Sequence, residues 1–142
     1  DLKKYTEANK YFNKAIELNP DYLPALYEKG INLCYLKKYN EAISCFDKAI
    51  KINPEDFNAW DRKGYVFCCL EKYKEAIACY DKSIKSNPED LIAWEGKGFA
   101  LYKIRKYKEA INCIDKALSI NKDDSFALKL KRDVMKAINL NL

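Results

Sequence analysis

Apolar positions along this 142-residue chain fall into two helical stripes, and both stripes recur every 34 residues. Leu26–Gly30–Leu33, Trp60–Gly64–Phe67 and Trp94–Gly98–Leu101 follow the i, i+4, i+7 spacing of one helix face. Tyr39–Ala42–Phe46–Ala49, Tyr73–Ala76–Tyr80–Ser83 and Tyr107–Ala110–Ile114–Ala117 make the second stripe, with lysines and acids filling the positions between. The stripes predict alternating helices: first helices over about 22–36, 56–70 and 90–104, second helices over about 39–52, 73–86 and 107–120. Asp56, Asp90 and Asp124 stand where N-caps belong. Pro24 falls in a first turn, where a missing N–H costs little. Asn-Pro at 19–20, 53–54 and 87–88 ends one helix pair before the next begins.

Gly30, Gly64 and Gly98 lie inside predicted helices, where glycine costs roughly 1 kcal/mol against alanine. Close approach of two helix backbones would offset that cost. The glycine column is therefore expected to face the alanine column Ala42, Ala76 and Ala110, with aromatic residues closing around the contact. Each unit is then an antiparallel helix pair that cannot bury its faces alone, and residues 1–142 form a single array. Residues 1–22 fit the second helix of a truncated repeat, full repeats follow at 23–56, 57–90 and 91–124, and 125–142 form a C-terminal capping helix. Tyr5, Ala8, Phe12 and Ala15 repeat the second stripe with no first helix before them, so a bare apolar patch is expected there. A chain that opens on Asp1 rather than Met fits an upstream helix in a longer parent protein. In the last helix Leu128 and Met135 continue the first stripe, but Arg132 takes the glycine's place, which suits a solvating cap.

The period and the order Trp60, Gly64, Phe67, Ala76, Tyr80 and Pro88, with one copy before and one after, resemble the tetratricopeptide repeat family, in the form of its prokaryotic and archaeal arrays. Lys29, Lys63 and Lys97 depart from the family's usual leucine before the glycine; Leu26 stands in for tryptophan and Lys122 for the closing proline. The resemblance implies an all-α fold, an α-solenoid of antiparallel helix pairs forming a right-handed superhelix. Its first helices would line a concave groove that holds an extended peptide or a partner helix.

Composition narrows the chemistry. The chain has no histidine, which removes the commonest general base and the Ser-His and Cys-His nucleophile pairs. Three of its four glycines belong to the packing column and Gly96 neighbours Gly98, so no phosphate loop is present. Neither an enzymatic activity nor a cofactor is expected. Of six cysteines, Cys45, Cys79 and Cys113 share one column, Cys34 and Cys68 another, and Cys69 stands beside Cys68. No pair has C-x2-C spacing, so no metal site is assigned. They read as small buried hydrophobes in a reducing, cytoplasmic setting, with a soft-metal or redox role as the alternative. The net charge of +5 comes from lysines interspersed with acids, the mark of a solvated face rather than a polyanion site. No stretch approaches the ~20 apolar residues of a membrane span, so no membrane contact is expected.

On the side of each first helix away from the packing stripe lie Pro24, Tyr27, Ile31 and Cys34, then Asn58, Asp61, Tyr65 and Cys68, then Ile92, Glu95, Phe99 and Tyr102. Tyr35 borders the first set. In the geometry that the resemblance implies, Tyr27, Ile31, Tyr65, Phe99 and Tyr102 form an aromatic groove floor, and Asp61, Arg62, Glu95 and Lys129 orient the occupant. Packing between neighbouring repeats is the alternative, above all for Ile31 and Phe99; tyrosine hydroxyls favour a half-wet surface. Relatives that clamp the acidic tail of chaperones place Lys, Asn and Arg at positions held here by Tyr27, Ile31, Arg62, Ile92 and Gly96, or one repeat later by Asp61, Tyr65, Gly96, Phe126 and Leu130. No such carboxylate clamp is expected, and Asp61 and Glu95 would repel a carboxylate. The favoured reading is a protein–protein interaction scaffold that binds an apolar or aromatic peptide or helix of a protein partner. A single-stranded nucleic-acid binder is a second class, disfavoured by three arginines and two groove acids. A structural self-assembly module is a third, with weak self-association through the N-terminal helix.

Overall fold

The computed structural model describes residues 2–140, and among them only helices and short connections occur. In order these are α1 (Leu2–Leu18), α2 (Leu23–Tyr35), α3 (Tyr39–Ile52), α4 (Phe57–Cys69), α5 (Tyr73–Ser86), α6 (Leu91–Lys103), α7 (Tyr107–Ile120) and α8 (Ser125–Leu140). Each helix packs on the next, and the first helices α2, α4, α6 and α8 also touch in succession. Contacts therefore stay between neighbours, as in a one-dimensional stack.

Local chemistry repeats as faithfully as the stripes do. Asp56 accepts from the Asn58 N–H at 3.0 Å, Asp90 from Ile92 at 3.1 Å and Asp124 from Ala127 at 2.9 Å, which opens α4, α6 and α8. α2 starts at Tyr22 without a side-chain cap and relies on Pro24 in its first turn. Two residues past the ends of α2, α4 and α6 stand Lys37, Glu71 and Arg105, all left-handed with φ of 57°, 57° and 63°. The next residue in each case bonds back to Leu33, Phe67 or Leu101 at 2.8–2.9 Å, closing a Schellman turn. Asn53, Asn87 and Asn121 follow the second helices, and each side-chain oxygen accepts the N–H two residues on at 3.3 Å. The Trp60 and Trp94 indoles then tie back to the carbonyls of Pro54 and Pro88 at 2.9 and 2.8 Å.

The glycine column faces the bulky residue of each second helix first, and only Gly98 also approaches an alanine, its Cβ position lying 3.1 Å from Ile114 and 3.5 Å from the Ala110 carbonyl oxygen. A Cβ built on Gly64 would come within 2.9 Å of the Tyr80 ring, and one on Gly30 within 2.7 Å of the Phe46 ring. At Gly30 and Gly64 glycine is needed because the aromatic ring of the second helix, rather than its backbone, lies over the first helix. Ala42, Ala76 and Ala110 are fully buried beside it. The lysines that replace the family's leucine also have a structural account. Lys63 reaches Asp47 and Lys97 reaches Asp81, both at 2.6 Å, across to the preceding second helix. Their ammonium groups also lie over aromatic rings, Lys63 Nζ at 5.6 Å from Trp60 and 5.7 Å from Phe67 and Lys97 Nζ at 5.9 Å from Trp94, so a cation on a ring face takes the place of leucine's apolar contact. Lys131 and Asp115 repeat the pair at 2.7 Å.

Both ends differ from the interior. Tyr5, Ala8, Phe12 and Ala15 are half-buried against α2 rather than bare. Tyr5 stacks on Tyr35 with ring centroids 4.7 Å apart, and Asn9 is buried against the Asn32 amide. At the other end Leu128, Arg132 and Met135 lie exposed on α8. No described helix is long and apolar enough to cross a membrane.

Candidate functional site

A cavity of about 540 Å³ opens between α4 and α6. Asn58, Asp61, Arg62, Tyr65, Cys68 and Cys69 line it from α4; Ile92, Glu95, Gly96 and Phe99 line it from α6; Tyr80 and Phe126 close it. A smaller cavity of about 200 Å³ continues toward α2 between Ile31, Cys34, Tyr35, Tyr39 and Phe46, and Arg62 and Tyr65 border both. Tyr80 shapes the larger space. Its ring passes Gly64 of its own repeat, and a Cβ on Gly96 would lie within 2.3 Å of its Cζ atom. Gly96 is thus a second close-approach glycine, admitting the hydroxyl end of Tyr80 where the preceding repeat has Phe46 facing Arg62.

A ladder of side-chain contacts runs through this face with a spacing of 29 residues. The Tyr27 hydroxyl donates to the Asp56 carboxylate. Asp61 occupies the equivalent position one repeat on and hydrogen-bonds Asp90; Glu95 follows and hydrogen-bonds Asp124. A phenol supplies a proton by its nature, whereas an acid facing an acid must retain one. Burial first, and then the bond to Asp90, push Asp61 up to about 8. Glu95 is likewise pushed up to about 8 by burial and by the bond to Asp124, while Asp124 is held below its ordinary value by the bond from Glu95. Ser83 adds a donor to Asp90 at 2.8 Å. Asp61 and Glu95 are therefore protonated and neutral near pH 7, in contrast to the ionised carboxylates that the sequence suggests. Asp61 Oδ1 and Glu95 Oε1 are buried and accept no hydrogen bond from the protein.

The expected groove residues divide into three groups. Asn58, Asp61, Arg62, Tyr65, Glu95 and Phe99 converge on the larger cavity, and Ile31 and Tyr35 on the smaller. Tyr27 is half-buried, 6.4 Å from the Phe46 ring, and its hydroxyl is engaged by Asp56 rather than left to solvent. Tyr102 packs on Tyr107 at 6.1 Å, and Tyr102 and Lys129 lie outside the lining of either cavity. Tyr65 is 56% exposed, and its hydrogen bond to Cys69 raises its hydroxyl to about 12. Tyr80 reaches the groove from a second helix, outside the expected floor, and Gly96 and Phe126, expected only as clamp positions, line it as well. Phe126 continues the column of Pro24, Asn58 and Ile92, which was the available signal. Burial pushes the thiols of Cys34, Cys68 and Cys79 up to about 11, so they stay protonated near pH 7. Among the described residues no group of three His, Cys, Asp or Glu is placed to hold a metal.

Residues 1–22 and 24–56 each match a tetratricopeptide repeat profile, and residues 45–117 match one described as anaphase-promoting complex, cyclosome, subunit 3. No curated protein matches the chain. Among solved structures, the first TPR of Spaghetti (RPAP3) bound to the HSP90 peptide SRMEEVD superposes with a TM-score of 0.80 at 22% identity, covering 82% of this chain and 93% of that one. MamA 41-end from Desulfovibrio magneticus RS-1 gives 0.79 at 24% identity, over 93% of this chain and 84% of that one. The Arabidopsis OM64 TPR domain gives 0.78 at 22%, over 81% and 95%. At these identities the likeness speaks for the fold. Together with the helix pairs, the glycine column and the 34-residue period, the matches establish this chain as a tetratricopeptide repeat protein, an α-solenoid of antiparallel helix pairs.

Proposed function

We propose that the chain is a non-enzymatic protein–protein interaction scaffold whose groove between the first helices holds an apolar or aromatic segment of a partner protein. The observation that carries this reading is the cavity of about 540 Å³, lined by Tyr65, Ile92, Phe99 and Phe126. Tyr65 lies more than half exposed there although it is large and aromatic. Aromatic side chains offer much contact area at little entropic cost, and a few of them carry most of an interface's energy. The structural neighbour captured with a peptide supports peptide holding by this fold. The groove's own acids, Asp61 and Glu95, make a clamp for an acidic tail an unsuitable description of it. Six free cysteines fit a reducing compartment, and we place the protein in the cytoplasm on that ground. Tyr65→Ala tests the reading with a partner segment in hand. Binding should weaken at least tenfold, roughly the loss of one hot-spot residue, while stability moves by no more than about 0.5 kcal/mol, as for an exposed position. Equal losses of binding and stability would make Tyr65 a packing residue and remove the proposal.

A further inference from the structure

We infer that the outward face of α8 is a second docking surface, separate from the groove, and that its occupant is an acidic amphipathic helix of a partner protein. Each of the first helices α2, α4 and α6 carries a second helix on its glycine stripe. Among the described residues α8 carries none, and its equivalent stripe of Leu128, Arg132 and Met135 lies exposed. Leu128 and Met135 are 44% and 46% exposed. They line a trough of about 680 Å³ together with Lys131, Arg132 and Lys136. The other side of the helix is committed to the core, where Ala127, Leu130 and Val134 are buried.

Charge decides what chemistry fits this face. Residues 91–142 hold eleven lysines and arginines against six acids, a net +5, whereas residues 1–90 hold fifteen of each. The last repeat and α8 therefore carry the whole positive excess of the chain. Lys131 is paired with Asp115 at 2.7 Å, but Arg132 and Lys136 have no ion-pair partner among the described residues. The one acid of α8, Asp133, lies roughly 100° round the helix from Arg132. Arg132 also determines what cannot dock. In the interior a bulky residue of the second helix lies over glycine, as Tyr80 does at Gly64 and Ile114 at Gly98. An ordinary second helix would press that residue onto the Arg132 side chain, whereas an aspartate or glutamate there would pair with its guanidinium. A second copy of this chain would offer α1, with Phe12 at that place and four lysines against two glutamates, so like charge opposes it. A bilayer is poorly served, since two half-exposed apolar residues give little to insert. On a protein partner the same two residues supply the apolar contact, and opposite charges steer and orient the helix.

A library of helices with one randomised face, displayed on phage within a rigid helical scaffold, provides the probe. It is selected on the immobilised Tyr65→Ala chain, so that binders of the groove are disfavoured. Enriched helices should carry net negative charge beside an apolar row. Arg132→Glu with Lys136→Glu should raise their Kd at least about tenfold, as loss of a close opposite-charge contact does. Met135→Ala should also weaken them, and the circular dichroism spectrum should be unchanged, because all three side chains are exposed. Where charge reversal disturbs the fold, Arg132→Gln with Lys136→Gln should move Kd in the same direction. Binding should weaken with added salt. Restoring Tyr65 should leave it unchanged, which separates this face from the groove. Neutral or basic helices, acidic helices indifferent to the α8 substitutions, or no enriched helix at all would overturn the inference. A peptide of residues 2–18 that binds as tightly through Arg132 and Lys136 would overturn it in favour of a second copy. Vesicles of phosphatidylserine and phosphatidylcholine held by those two residues, with no helix selected, would overturn it in favour of a membrane.

Discussion

Asp61 retains its proton because burial and the facing Asp90 both penalise ionisation, and its neighbours Ser83 and Arg62 only partly compensate. This has a definite sign. The folded chain holds a proton that the unfolded chain gives up above its ordinary value of 3.8, and gives it up itself only near about 8. The contribution of the pair to stability is therefore fully present at low pH and is lost as pH rises across that window. Asparagine at 61 would donate an N–H to Asp90 at every pH. Asp61→Asn should match the wild type near pH 4 and exceed it by about 1–2 kcal/mol near pH 9, roughly the worth of a hydrogen bond to a charged group. Urea titrations at the two pH values check this, and parallel profiles for the two proteins would remove the shared proton. The sequence placed Tyr27, Asp61 and Glu95 in one column but showed them as free side chains. Their partners, 29 residues on, come into reach only once successive first helices stack, and nothing in the local pattern signals that contact.

At the scale of single helices, the reading of α2 to α7 was accurate to within a residue at each end, because the punctuation is chemical: Asp caps, Asn-Pro stops and stripes of fixed spacing; the expected end of the capping helix at 142 lies outside the described residues. The turns inside each pair were less transparent. Lys37, Glu71 and Arg105 adopt left-handed backbone conformations without being glycine, so the residue type that announces such a turn is missing. An L-residue there costs roughly 1–2 kcal/mol, and glycine would recover part of that against its greater freedom in the unfolded chain. Glu71→Gly should raise stability by about 0.5–1 kcal/mol, whereas Glu75→Gly, inside α5, should lower it by about 1 kcal/mol. Thermal unfolding of the two variants beside the wild type distinguishes them; losses of equal size would show that the turn stores no strain.

For the molecule as a whole, the 34-residue period was enough to establish an array, and its handling of damage follows from that. A leucine at position 64 has to displace the Tyr80 ring, which a bare Cβ would already meet at 2.9 Å. Gly64→Leu should cost about 3 kcal/mol or more and clearly exceed Gly64→Ala, as overpacking of a closed contact does. Amide exchange should show lost protection in α4, α5 and α6, with α1 and α8 nearly untouched. Uniform loss along the chain would contradict the one-dimensional picture. The groove was only half visible at this scale, since Tyr80, Gly96 and Phe126 reach it from three different elements. Tyr80 and Gly96 fit each other across a repeat boundary, a complementarity that a column-by-column comparison does not display.

The 29-residue ladder also bears on how such a chain can be copied. Donor and acceptor of each rung lie within one 34-residue unit, the acceptor on its last residue where it caps the next first helix, so tandem duplication of a unit carries a complete rung to the new junction without any adjustment. Once duplicated, each rung can drift alone: tyrosine makes a joint indifferent to acidity, whereas aspartate or glutamate makes it sensitive. A single inherited spacing can thereby produce junctions of graded response while the helices around them stay the same.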